Sequence, residues 1–310
     1  MLYFIVNEKS KSGNAKQIWK EIEEVLKVRN VSYQAFVSEY RGHAGKLAAE
    51  ICAMDDNDIC LVAVGGDGTA NEVINGITDF EKVRFGVIPT GSGNDLARGL
   101  SLSKDPKNGA IHILNAMKKS REDTWCMDLG EVNFGEKKRL FAISAGIGLD
   151  ALVCKKALKS TIKDILNKIR LGKLTYLVLT VQSLFTMQTA DAEIFFDREE
   201  GLQKKRMIFT AAMNFKAEGG GVPMAPAASA CDGELSFCEA TGIPKWRTFL
   251  CLPFLVAAKH TSIHGFSVTD AKDCTIRLSR PMVVHADGEY CGEVTEVHFY
   301  CLPGKLRVLK

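Results

Sequence analysis

Apolar positions fall into two rhythms along the chain. From residue 1 to residue 124, short continuous apolar runs alternate with stretches in which apolar residues recur every three or four positions. The runs at Leu2–Val6, Ser32–Val37, Ile59–Val64 and Phe85–Ile88 predict strands. The stretches at Ala15–Val28, His43–Met54, Thr69–Gly76 and Asn94–Leu100 predict helices. This alternation predicts an α/β, doubly wound βαβ domain over residues 1–124, with ligands at the carboxyl ends of its parallel strands.

Beyond Thr124 the rhythm shortens. The segments RLFAISAG, DAEIFFD, KRMIFTAAMN, GELSFCEA, DCTIRLS, MVVHADGEY and EVTEVHFYCL alternate apolar and polar residues and predict antiparallel strands. They place a β-rich, sandwich-like second domain at residues 125–301, interrupted by a helical insertion from Leu152 to Met187. Residues 302–310 are a candidate return to the first domain.

Composition adds little to this picture but excludes several classes. The 310 residues are 46% hydrophobic and 25% charged, as in a soluble globular chain long enough for two domains. A net charge of +3 gives no sign of a nucleic-acid partner. The ten cysteines form no CxxC pair, which points to a reducing cytoplasm without a disulfide framework or zinc site. The segment MLYFIVNEKS lacks the basic start of a signal peptide. The longest apolar runs, Leu174–Val181 and Phe249–Ala258, fall short of the roughly 18 residues a membrane helix needs.

Chemistry concentrates in two glycine-rich turns. In LVAVGGDGTANEV a strand breaks into Gly65-Gly66-Asp67-Gly68-Thr69 and resumes as helix. Glycines let the backbone approach a ligand, and the helix start offers free N–H groups to an anion. An aspartate there would repel phosphate unless a divalent metal cancels its charge or it orients a substrate hydroxyl. The plain alternative is Asp67 as a helix cap. No GK[ST] closes the turn, so it is not a Walker A loop. The second turn, in FGVIPTGSGNDLARGL, offers Thr90, Gly91, Ser92, Gly93 and Asn94 after another strand. Further on, Asp287-Gly288-Glu289 combines a hairpin signal with a carboxylate suited to proton abstraction. The insertion carries Lys155, Lys156, Lys159, Lys163, Lys168, Arg170 and Lys173 among apolar residues, a pattern suited to an anionic bilayer or to a solvated helix face. His43 and His285 lie near the motifs and read as structural.

GGDGT followed by PTGSGNDLAR resembles the diacylglycerol kinase catalytic-domain family, which includes soluble bacterial diacylglycerol kinases, related lipid kinases and sphingosine kinases. The segments AAMNFKAEGGGVPMAPAASACDGEL and VHADGEYCGE extend the resemblance over nearly the whole chain. The family's first motif, N-P-x-[SA]-G, is altered here to NEKSK: Asn7 and Ser10 match, while Glu8 and Lys11 depart. In FAISAGIGLDA, Ser144 stands where an asparagine is common.

The resemblance implies an ATP- and Mg²⁺-dependent kinase that phosphorylates a lipid hydroxyl, with diacylglycerol converted to phosphatidic acid. It implies nucleotide contacts from Asn7, Ser10, Lys11, Ser38, Gly65, Gly66, Gly68, Thr69, Asn71, Thr90, Gly91, Ser92, Gly93 and Asn94. It makes Glu289 the base, with Asp287 beside it and Asp67 in a metal or water network. It implies a structural Mg²⁺ held by Asp232 with the carbonyls of Ser229 and Glu234. It further implies a second domain that binds lipid, an anionic membrane surface reached through the Lys155–Lys173 helix, and a homodimer. Two other readings stand beside it: a soluble-metabolite kinase akin to NAD kinases, and a non-catalytic nucleotide-binding protein at the membrane.

Overall fold

Three strands are buried along their whole length: β1 (Leu2–Val6), β3 (Ile59–Gly65) and β4 (Val83–Pro89), the last including Arg84, whose guanidinium pairs with Asp58. Burial on both faces is what a parallel sheet covered by helices requires. The computed structural model describes residues 1–10, 15–159, 172–197 and 200–310, with only the backbone described at 158–159 and 172–177. Its chain divides into two units, Met1–Asp128 with Pro303–Lys310, and Leu129–Leu302.

In the first unit the parallel order is β2 (Tyr33–Val37), β1, β3, β4, with Arg307 and Val308 pairing beside β4. One face of the sheet packs Phe4, Val62 and Ile88 against Trp19, Ile22 and Leu26 of α1 (Ala15–Val28) and Ile113 of α5 (Pro106–Ala116). α2 (His43–Cys52) and α3 (Asp67–Gly76) pack on each other, burying Leu47 and Ile51 of α2 and Val73 and Ile74 of α3 together with the polar Thr69 and Asn71. The pattern did not bring out α5, although its cap is written in the chain. Asp105 accepts the Asn108 N–H at 2.7 Å, and Pro106 occupies the first turn.

The second unit is antiparallel and β-sandwich-like. Its order runs β12 (Phe266–Ala271), β11 (Leu235–Ala240), β10 (Phe209–Met213), β7 (Ser144–Gly148), β13 (Asp273–Ala286). β13 changes partners along its length. Residues 274–278 pair β8 (Ala190–Phe196), while residues 284–286 pair β7. Between them the register with β14 (Glu289–Val308) slips, at a stretch holding Pro281. A proline bulge of this kind lets one strand serve two sheet faces. The insertion supplies α6 (Leu149–Lys159) and α7 (Gly172–Thr186). The run Phe249–Ala258 lies mostly in a further helix, α8 (Lys245–Val256). Among the described residues no helix is long and apolar enough to cross a membrane.

Two predicted strands are broken. RLFAISAG divides into β6 (Lys137–Phe141) and β7, because the N–H groups of Ala142, Ile143 and Ser144 all donate to the Asp287 carboxylate. KRMIFTAAMN divides into β9 (Leu202–Met207) and β10; before the break, Arg206 turns left-handed with its N–H on Asp191.

Candidate active site

In the first unit, the loops after β1, β3 and β4 meet at the carboxyl ends of their strands. β1 has β2 on one side and β3 on the other, so its end is a topological switch point, where open α/β sheets hold ligands. Asn7 Nδ2 donates to Thr69 Oγ1 at 3.0 Å, and Ser10 Oγ meets Thr90 Oγ1 at 2.5 Å. The Thr90 N–H donates to the Gly65 carbonyl at 2.8 Å. Three loops are therefore laced together by the side chains expected to contact a nucleotide.

Asp67 explains why an acid sits in the first glycine turn. Its Oδ1 accepts the N–H of Leu96 at 3.1 Å, at the start of α4 (Asp95–Gly99) in the second turn. The carboxylate thus crosslinks the two turns, and the start of the facing helix offsets its charge. Asn94, left-handed at φ 52°, closes the second turn by bonding both the N–H and the carbonyl of Gly91, each at 2.9 Å. The turns touch through backbone. A Cβ on Gly91 would lie 2.7 Å from Gly66 Cα, and one on Gly93 would lie 3.0 Å from Asp67 Oδ2. This glycine-only clearance beside a carboxylate fits a phosphate carried with a divalent cation. Gly91→Ala is therefore expected to push the turns apart and cost about 1–3 kcal/mol of stability. Chemical denaturation would read that cost, and ATP titration would read a weakened affinity.

The remaining first-unit residues are placed less uniformly. Gly68 lies in the first turn of α3, partly exposed, and Ser92 is exposed at the tip of the second turn. Ser38 is buried at the end of β2, its N–H on the Val6 carbonyl. Asn71 is buried within α3, where its Oδ1 accepts from Asn75 at 3.3 Å. Lys11 lies outside the described residues.

In the second unit, Asp287 and Gly288 form the two-residue turn joining β13 to β14, both left-handed at φ 46° and 80°. The hairpin and the acid motif are one object. The Asp287 oxygens accept the N–H groups of Ala142 and Ile143 at 2.8 Å each and of Ser144 at 3.1 Å. Asp287 is thus a positioning residue. Glu289, partly exposed, opens β14 opposite Ala286.

Beneath the turn lies a group that sequence reasoning did not assemble. Buried His285 donates from Nε2 to Asp150 Oδ2 at 3.1 Å, and its Nδ1 faces the Gly288 N–H at 3.2 Å. Glu218 accepts the Ser144 hydroxyl, and the ligand atoms of Asp150, Glu218 and His285 lie within 4.8 Å of one another. With Nδ1 accepting the Gly288 N–H, Nε2 shares a proton with Asp150, and a cation at these atoms would have to displace it. Burial opposes the charged ring, yet the Asp150 carboxylate, with Glu218 and Asp287, outweighs it and raises the His285 pKa above its usual value. A raised folded-state pKa stabilises fully below the unfolded value, about 6.5, and that stability is lost as pH rises through the folded value. Thermal midpoints measured across this window should fall with rising pH, and His285→Gln should flatten the slope.

Asp232 is exposed on its loop, with Oδ1 accepting the Glu234 N–H at 3.2 Å. One carboxylate with the carbonyls of Ser229 and Glu234 is an oxygen set that suits a hard cation. Of the basic insertion, residues 160–171 and the side chains of Lys159 and Lys173 lie outside the described residues. The two lysines with described side chains bond to residues of their own unit. Lys155 pairs with Glu293 at 2.5 Å, and Lys156 donates to Thr186 Oγ1 at 3.0 Å.

Known proteins are similar to this chain in sequence and fold. The model of the diacylglycerol kinase catalytic domain matches residues 1–127, and that of the YegS C-terminal NAD kinase beta sandwich-like domain matches residues 144–310. The "Putative lipid kinase YtlR" of Bacillus subtilis is 30% identical over 99% of this chain and 98% of its own. The diacylglycerol kinase of Bacillus subtilis is 27% identical over 79% of this chain and 75% of its own. In fold, the chain resembles a diacylglycerol kinase from Bacillus anthracis, with TM-score 0.71, 18% identity, and 99% and 96% of the two chains covered. A more distant likeness is an NAD kinase from Archaeoglobus fulgidus, with TM-score 0.54, 14% identity, and 100% and 94% covered. With 30% identity to one relative over nearly the full length of both chains and two family models along its length, the chain belongs to the diacylglycerol kinase catalytic-domain family of lipid kinases.

Proposed function

We propose that the chain transfers the γ-phosphoryl group of ATP to the hydroxyl of diacylglycerol, yielding phosphatidic acid and ADP. The observation that carries this reading is the Asp67 crosslink that holds two glycine turns in backbone contact at the carboxyl ends of β3 and β4, where backbone N–H groups at helix starts suit an anion. The phosphates would lie against Gly65–Thr69 and Thr90–Asn94, and Asp67 would help hold Mg²⁺. When bound, Mg²⁺ would neutralise phosphate charge. Asp232, Ser229 and Glu234 would hold a second, structural ion.

Glu289 would accept the proton of the lipid hydroxyl as its oxygen attacks the γ-phosphorus and the bond to the β-phosphate oxygen breaks. The Asp287 clamp would hold the hairpin so that this carboxylate needs no reordering during reaction. Diacylglycerol is the acceptor named in the family and in several relatives. Diacylglycerol is held in the bilayer, so transfer to it would take place at a membrane surface.

The test is transfer of labelled γ-phosphate from Mg-ATP to a panel of lipids in mixed anionic micelles, with Asp67→Ala and Glu289→Ala alongside. Labelled phosphatidic acid from the wild type alone supports the reading. Label on NAD or a sugar phosphate, with none on lipid, overturns it.

A further inference from the structure

Helix α8 is patterned the wrong way round for a helix of a globular protein. Such a helix normally buries its largest apolar side chains. Here the buried stripe is Thr248, Cys251 and Leu255, with Thr248 only 1% exposed. The outward face carries Trp246 at 61% exposure, Leu250 at 57% and Val256 at 65%, together with Phe249 and Phe254. Singly exposed apolar residues mean little, but five on one short helix form a patch.

The patch continues onto α7. The rings of Phe185 and Phe249 lie 6.0 Å apart, and Phe185 is itself half exposed. Val178, seven residues earlier on α7, is exposed on the same side. Lys245 fixes the two helices together by donating to the carbonyls of Phe185 and Met187 at the end of α7.

Charge selects the occupant. No acidic residue occurs from Thr241 to Thr269, while Lys245, Arg247 and Lys259 fall in that span. Gly172 to Thr189 holds no acid either. A second copy packed by two-fold symmetry would bring these cations together with no carboxylate from either segment to pair them. Anionic headgroups supply that counter-charge, and interfacial membrane helices combine aromatic and aliphatic side chains with a basic rim in this way.

We infer that the α7–α8 face is a membrane-docking surface, with α8 lying in the plane of an anionic bilayer and Trp246, Leu250 and Phe254 entering the headgroup boundary. The inference rests on the lipid-kinase reading for its choice of a lipid partner. It places docking on α8 and the exposed side of α7, away from Lys155 and Lys156, which are bonded within the unit.

The experiment is co-sedimentation of the full chain with vesicles of phosphatidylcholine alone and of phosphatidylcholine with phosphatidylglycerol. It compares wild type with the triple variant Trp246→Ser, Leu250→Ser, Phe254→Ser. The wild type should bind the anionic vesicles, and the variant should lose about tenfold or more in affinity with its thermal midpoint kept. Trp246 fluorescence should shift to the blue on binding, a signal absent from Trp246→Phe. Equal vesicle binding by wild type and variant, or no binding by the wild type, overturns the inference. So does a wild-type dimer that the variant dissociates while vesicle binding stays unchanged. Transfer to a dispersed short-chain diacylglycerol, assayed in parallel, separates the two readings. Docking without transfer sinks the proposed function alone, and transfer without docking sinks this surface alone.

Discussion

Glutamine in place of Glu289 is expected to slow phosphoryl transfer to lipid by about 10²–10⁴-fold, the range that a positioned general base contributes. The amide keeps the size and much of the polarity of the carboxylate, and the side chain is partly exposed at the start of β14. Stability and ATP affinity should therefore hold while the rate collapses. Labelled transfer at saturating lipid, beside a denaturation curve, checks this. A variant retaining wild-type rate would move the base elsewhere, with Asp67 the next carboxylate to test.

Asp287→Ala should behave in the opposite way, damaging structure first and activity as a result. Its carboxylate satisfies three backbone N–H groups that β6 and β7 leave without strand partners. A hydrogen bond to a charged acceptor contributes about 1.5–3 kcal/mol. Three sharing one carboxylate are not additive, and a loss of about 3 kcal/mol is expected. For units of this size that lowers the thermal midpoint by roughly 6–12 °C. Asp287→Gly separates two causes. Glycine accepts the left-handed φ of 46° without strain but offers no carboxylate. If the clamp matters, glycine should be nearly as destabilised as alanine. A glycine variant as stable as wild type would show that backbone conformation alone holds the turn.

These two neighbours also show where sequence reading stops. The strands and helices of the first unit stand out because each buries a continuous or helically spaced apolar set, a property of neighbouring residues alone. The observed β1 and α1 coincide with the predicted Leu2–Val6 and Ala15–Val28. The break in RLFAISAG is invisible locally, because its cause is an aspartate more than 140 residues away. Asp67 raised a question that its own turn could not answer, since its partner is an N–H in the other turn. Glu218 sits in a segment that fits the family pattern and Asp150 in one that fits it less well, yet nothing near either in the chain points to His285. Sequence shows which residues can do chemistry, and tertiary contacts decide which are spent holding others in place.

The first unit is not contiguous in the chain. Its sheet receives Arg307 and Val308 beside β4, and Val308 and Leu309 are buried in it. During synthesis, residues 1–128 emerge long before this closing strand exists. Until then the free edge of β4 has unpaired peptide groups and uncovered apolar neighbours, the kind of edge that invites pairing with other chains. The first unit should thus be dependent on chaperones, or prone to association, through most of translation. It would reach its final cooperativity only when residues 303–310 arrive.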